Sequence, residues 1–250
     1  MNARRAPAAS RRAPPRAAQS RVTGIDVARG IAIVAMIAYH AAFDLAFFRV
    51  TAANFYRDPF WLHSRTLILS SFLLLAGMSL VLAERAHAGS SRFWRHVLRI
   101  AACAVAVSVA SYLVFPRSFI WFGVLHAIAV SLVLIRPLAG RPYIALALGI
   151  AVIAAGNLYH SPWFDQRWLG WIGFATVKPL TEDYVPLFPW TGVILLGVAA
   201  GHALARNGFR ALALLAHLPS ALAWLGRHSL AVYMLHQPIL LGMLWVFVRR

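Results

Sequence analysis

Residues 25–48 read IDVARGIAIVAMIAYHAAFDLAFF. This run is long enough to cross a bilayer, which takes about 20 mostly apolar residues, yet it contains Asp26, Arg29, His40 and Asp44. On a helix turning about 100° per residue, these side chains and Met36 lie within an arc of roughly 80° and follow the helix for about 27 Å. We call them the first-helix stripe. Burying each ionisable group at the bilayer centre costs at least about 2.5 kcal/mol, so the stripe is predicted to face protein or water instead of lipid.

Similar apolar runs recur along the chain, at residues 66–83, 97–114, 120–135, 143–158, 186–205 and 229–248. The composition is 61% hydrophobic and 12% charged, against about 25% charged in a typical soluble domain. These features predict an all-α, polytopic transmembrane helix bundle with about seven spans. Residues 209–225 are apolar but interrupted by His217 and Pro219, and they leave open an eighth span or a helix lying at the membrane interface.

The formal charge of +17 comes almost entirely from arginines in the N-terminal tail and the short loops. This distribution is typical of the positive-inside rule, and we prefer it to nucleic-acid binding. It predicts a multi-pass protein of the inner (plasma) membrane with a cytoplasmic N-terminus. Residues 1–22 are predicted to be a disordered basic cytoplasmic tail, and residues 23–250 the membrane domain.

The spacing of His40 and Asp44 suits acid–base chemistry, because a carboxylate can hold one imidazole nitrogen protonated and leave the other free as a base or nucleophile. His126 and His236, in two other predicted spans, could converge with this pair. The alternative for each of these side chains is an interhelical hydrogen bond that only orients neighbouring helices.

The same regions resemble the bacterial relatives of the heparan-alpha-glucosaminide N-acetyltransferase catalytic domain. The resemblance extends over about residues 21–248. It lies in an Asp-x-x-Arg-Gly helix, GIDVARGIAI at residues 24–33, followed by Tyr39-His40 and Asp44-Leu45. The remaining matching segments are FLLLAGMSL at residues 72–80, PLFPWTG at residues 186–192, Gly197, Gly201, LGRHSL at residues 225–230, Tyr233 and HQP at residues 236–238.

The resemblance implies transfer of acetyl from cytosolic acetyl-CoA across the membrane to an amino group of a glucosamine, with a histidine taking part. In the family this histidine follows an aromatic-rich segment before the second helix, and Phe60-Trp61-Leu62-His63 stands at that place. His40 is the histidine more characteristic of the bacterial members, so the resemblance leaves the assignment open between His63 and His40. The large luminal region of the eukaryotic relative has no counterpart here, so the acceptor is expected to be a different envelope saccharide.

We therefore predict a membrane acyltransferase with acetyl-CoA as donor and a cell-envelope sugar, through an amino or hydroxyl group, as acceptor. The candidate catalytic residues are His40, Asp44, His63, His126 and His236, and the candidate substrate-binding residues are Asp26, Arg29, Arg227, Gln237 and Trp190. No metal and no nucleic-acid partner are expected, and Gly197 and Gly201, spaced GxxxG, leave a homo-oligomer open. The alternatives are a transporter or flippase with a charged path along the first helix, a b-type haem electron carrier that uses histidine pairs, and a purely structural role.

Overall fold

The computed structural model describes residues 22–87 and 89–248 and is built from α-helices. The predicted tail lies almost entirely outside the described residues. The helices are α1 (Thr23–Phe47), α2 (Pro59–Arg85), α3 (Ser90–Val114), α4 (Val124–Ile135), α5 (Pro142–Leu158), α6 (Leu187–Arg206), α7 (Ser220–Arg227) and α8 (Ser229–Val248). The predicted all-α fold is confirmed.

Five helices of the described chain, α1, α2, α3, α6 and α8, are long and apolar enough to cross a membrane. The other two predicted spans correspond to α4 and α5, which are apolar helices but shorter than these five. This holds for α4 even with the 3-10 turn that extends it to Leu138. The eighth-span alternative is wrong. Residues 209–225 form two 3-10 turns and the start of α7, and the 8 residues of α7 reach only about 12 Å against a hydrocarbon core of about 30 Å.

Successive helices alternate in direction and so define two ends of the bundle. The basic end contains the starts of α1 and α3 and the ends of α2, α4 and α6, with most of the loop arginines. The loop end contains the opposite termini and the long connection of residues 159–186. Two contacts fix the antiparallel pairing of α1 and α2: Arg29 bonds to Ser79 near the basic end, and Tyr39 meets Trp61 near the loop end.

Glycines bring the helix backbones into direct contact. Gly77 of α2 and Gly197 of α6 pack on the backbone of the opposite helix, at Ile194 and Leu74 respectively, and Gly201 lies against Met78. Small residues permit this close approach. Inside a bilayer there is no hydrophobic driving force between helices, so van der Waals contacts of this kind hold them together. The GxxxG pair therefore joins α6 to α2 within one chain, and a homo-oligomer stays a prediction.

The long connection is ordered by polar contacts within itself and to the loop end of the bundle. Asp165 accepts hydrogen bonds from the side chain and backbone of Thr176, and these bonds lower the pKa of its carboxyl. Asp183 accepts from the backbone N–H of Val124 (2.8 Å), the first residue of α4, and burial raises the pKa of this carboxyl. A carboxylate at a helix N-terminus satisfies an otherwise unpaired amide. The connection is thus held onto the bundle that it covers.

Candidate functional site

The first-helix stripe faces protein along its whole length, as predicted. Near the basic end the backbone of Asp26 lies against Gly226 of α7, the Asp26 side chain is only 15% exposed, and Arg29 reaches Ser79 of α2. Near the loop end His40 and Asp44 lie against α8. Three other helices, α2, α7 and α8, therefore cover the polar face of α1.

The α1–α8 contact brings together four residues that we take as the candidate site: His40 and Asp44 from α1, and His236 and Gln237 from α8. The ring centroids of His40 and His236 are 5.0 Å apart. Gln237 Nε2 donates a hydrogen bond of 2.9 Å to Asp44 Oδ1. Asp44 is only 2% exposed and His236 only 8%. Polar groups so deeply buried are costly unless they are paired or serve a ligand.

The geometry changes the role expected for Asp44. The sequence suggested that its carboxylate orients His40, one turn away. Across the described chain, its hydrogen bond comes from Gln237 of another helix instead. A side chain that bridges two helices positions both of them, so Asp44 orders the α1–α8 contact as a whole.

His236 has a defined hydrogen-bonding state. Its Nδ1 lies 2.6 Å from the backbone carbonyl oxygen of Tyr233. Because a carbonyl can only accept, the proton of the neutral ring belongs on Nδ1, and Nε2 keeps its lone pair. Pro238 lies in the same helix and has no N–H to donate to the carbonyl of Met234, one turn earlier. Sequence and structure together thus make His236 Nε2 a free, buried base.

Three buried polar atoms at this contact have no hydrogen-bond partner among the described residues: Asp44 Oδ2, Gln237 Oε1 and His236 Nε2. Native proteins leave few such atoms unpaired. Their clustering at a single helix contact makes the α1–α8 contact the candidate functional site.

A second polar group lies at the basic end. Arg29 donates to Ser79 Oγ (2.5 Å) and lies 3.9 Å from Asp26. Arg227 ends α7 in an exposed position, next to the Gly226 contact with Asp26. The site therefore has two parts, separated by about 16 Å along α1 between Arg29 and His40.

Three predicted site residues lie elsewhere. His63 is exposed on α2, where its Nδ1 bonds to the carbonyl of Pro59 and its neighbours include Phe60 and Leu67. His126 does not converge with His40 and His236, because its two nitrogens bond to Ser108 of α3 and to the N–H of Gly123. Trp190 packs against the hydrophobic core.

Sequence reasoning did not identify Ser79 or Tyr233 as parts of the site. A serine in the apolar run of α2 was a signal, since its hydroxyl needs a partner. Nothing in the sequence shows that the Tyr233 carbonyl accepts from His236. No group of three or more His, Cys, Asp or Glu within residues 22–87 and 89–248 could hold a metal ion.

The apolar helices and their buried polar face define a multi-pass membrane protein of the acetyltransferase-like class. Residues 21–238 match the family described as heparan-alpha-glucosaminide N-acetyltransferase, catalytic, and the chain belongs to this family. No curated protein and no solved structure gives a significant match.

Proposed function

We propose that this chain transfers an acetyl group from acetyl-CoA, bound at the basic end, to an amino or hydroxyl group of an envelope saccharide that enters from the loop end. The observation that carries the proposal is the α1–α8 contact, where a base with a free lone pair, His236 Nε2, lies beside His40 and two unpaired oxygens. Such a group can take a proton from a nucleophile. Family membership supports acetyl transfer as the reaction.

The basic end supports the placement of the donor. The arginine distribution favours a cytosolic position for this end, and acyl-CoA is made in the cytosol. Arg29 has five N–H donors, of which its contacts to Ser79 and Asp26 use only part, so donors remain for a phosphate. The pantetheine arm would then extend along α1 toward His40.

The reaction needs one base and no further cofactor. His236 Nε2 takes the proton of the attacking amine or hydroxyl as the new bond to the thioester carbonyl carbon forms. The carbon–sulfur bond then breaks, and the imidazolium returns the proton to the departing thiolate, which leaves as free coenzyme A. His40, with its ring beside His236, is placed to hold the carbonyl oxygen as it gains negative charge.

Transport is the second candidate, because the first-helix stripe continues from one end of the bundle to the other. Purified protein in detergent or nanodiscs should be incubated with acetyl-CoA labelled in the acetyl group and with amino sugars. Label on an amino sugar, or in free acetate, supports acyl transfer. An unchanged donor at all protein concentrations would contradict it and favour transport.

Arg29→Gln should raise the KM for acetyl-CoA by about 10- to 100-fold, because a hydrogen bond to a charged group is worth about 1.5–3 kcal/mol. The kcat should change less, since Arg29 lies about 16 Å from the base. Initial rates over a series of acetyl-CoA concentrations measure both constants. Arg85→Gln, an exposed arginine at the same end, is the matched control and should keep the wild-type KM. Equal KM values for both variants would remove Arg29 from the donor site.

A further inference from the structure

We propose that residues 209–227, which we call the interfacial segment, bind anionic phospholipids of the leaflet at the basic end of the bundle. The segment consists of two 3-10 turns, Arg210–Leu212 and Leu214–His217, followed by α7. One side of it is packed on α1, while apolar side chains and arginines stay uncovered elsewhere on its surface. The inference does not depend on the proposed acetyl transfer.

The contacts of the interfacial segment with α1 place it at the membrane boundary. Gly24 packs against the backbone carbonyl of Leu212, and Gly30 packs against that of Leu222. Because α1 begins at Thr23, both contacts lie within about 11 Å of its start. The headgroup region of a bilayer is about 5–8 Å deep on each side. The segment therefore lies along the boundary between the headgroups and the acyl chains.

The uncovered part of the interfacial segment is apolar. Leu214, Leu218 and Trp224 are 79%, 40% and 53% exposed, whereas Ala223 and Gly226 of α7 are buried. Helices that lie in the membrane surface have such a leucine- and tryptophan-rich face, which enters the edge of the acyl-chain region. In a multi-pass membrane protein these side chains extend the lipid-facing surface of the neighbouring spans, so lipid is the occupant that we assign to them.

The charge of the interfacial segment selects the headgroup. Arg210 and Arg227, near its two ends, are exposed, and their side chains have no hydrogen-bond or ion-pair partner among the described residues. The sequence has no Asp or Glu from residue 184 to residue 250, so this part of the chain does not neutralise them. Arginines at a membrane surface attract anionic lipids, and a guanidinium can donate two hydrogen bonds to one phosphate. Phosphatidylglycerol offers an uncompensated phosphate, whereas the phosphate of phosphatidylcholine is balanced by its own ammonium.

The test measures amide hydrogen exchange of the purified protein, without acetyl-CoA, in two kinds of nanodisc. One is pure phosphatidylcholine, and in the other half of the lipid is phosphatidylglycerol. A bound ligand slows the local opening of the backbone that it holds, so peptides within residues 209–227 report binding at this place. We expect about 5- to 25-fold slower exchange there with phosphatidylglycerol, since each interfacial arginine contributes about 5-fold. Equal exchange in the two lipids would overturn the proposal.

Three variants separate charge from apolar contact. Arg210→Gln/Arg227→Gln should abolish the difference between the two lipids. Leu214→Ser should speed exchange of the interfacial segment in both lipids, because its apolar contact does not depend on headgroup charge. Arg57→Gln/Arg117→Gln is the matched control: it removes the same charge from exposed positions at the loop end and should keep the wild-type difference.

Two other outcomes would assign the surface to a different occupant. If free coenzyme A removes the effect of phosphatidylglycerol on the wild-type protein, the arginines bind the phosphates of the donor and not those of lipid. If the wild type is a dimer in detergent and Leu214→Ser is a monomer, while exchange is the same in both lipids, the apolar side chains contact a second copy of the chain. Either result contradicts a lipid site.

Discussion

Replacing His236 by Gln should lower the kcat of acetyl transfer by about 10²- to 10⁴-fold, the range that a positioned general base contributes. The amide is close in size to the imidazole and can still donate to the Tyr233 carbonyl, so the helix contact should survive. The amide, however, has no basic nitrogen to take a proton from the acceptor. Rates at saturating acetyl-CoA and acceptor, with the thermal stability of the same preparation, measure the effect.

Two further histidine variants make this test specific. His63→Ala should keep most of the activity, because its ring lies exposed on α2 and bonds only to the neighbouring turn. His160→Ala is the control for the loss of a histidine away from the site, because His160 is exposed in the long connection. Wild-type turnover in His236→Gln together with loss of activity in His63→Ala would assign the base to His63, one of the two histidines that the family resemblance left open.

Gly226→Ala should destabilise the folded protein strongly, by about 1–3 kcal/mol or more. A methyl group at this position would overlap the backbone oxygen of Asp26 and lie 2.7 Å from its carbonyl carbon and 3.0 Å from the nitrogen of Gly30. Backbone atoms inside a helix cannot move aside as a flexible side chain can. α7 should separate from α1, which would also disturb the Asp26–Arg29 pair, so the KM for acetyl-CoA should rise.

Gly242→Ala is the matched control, because Gly242 lies in α8 and nothing stands within 4 Å of its added methyl group. Alanine favours a helix over glycine by about 1 kcal/mol, so this variant should be neutral or slightly more stable. Thermal unfolding in detergent and the monodisperse fraction after extraction compare the two. Similar stabilities would show that the α1–α7 contact is not tightly packed.

The polar face of α1 was predictable because helical periodicity and the cost of burying charge are local rules. The spacing of Asp26, Arg29, His40 and Asp44 placed them on one face and predicted that this face meets protein, which the contacts confirm. The partners were not predictable. Nothing within residues 25–48 states that Ser79 lies opposite Arg29, or that Gln237 and not His40 bonds to Asp44.

The sequence also predicted that more histidines would meet at His40 than the structure brings there. His126 and His236 look alike as single histidines in apolar runs, and both were candidates to join His40. The fold places His126 between α3 and α4, where Ser108 and the N–H of Gly123 occupy its nitrogens, and leaves only His236 beside His40. The difference depends on which helices are neighbours, and helix order along the chain does not fix that.

By itself, the sequence determined that this is an all-helical membrane bundle of an acetyltransferase-like family. It also determined that one face of the first helix is buried. Composition, motif order and helical period can all be read along the chain without knowing which helices are neighbours. Only the tertiary structure decided which helices meet that face, that residues 209–225 pack beside α1 instead of crossing the membrane, and that three acceptors without donors lie together. Those facts depend on contacts between residues up to 193 positions apart, such as Gln237 and Asp44. Such contacts are set by how whole helices pack against one another, which no local pattern encodes.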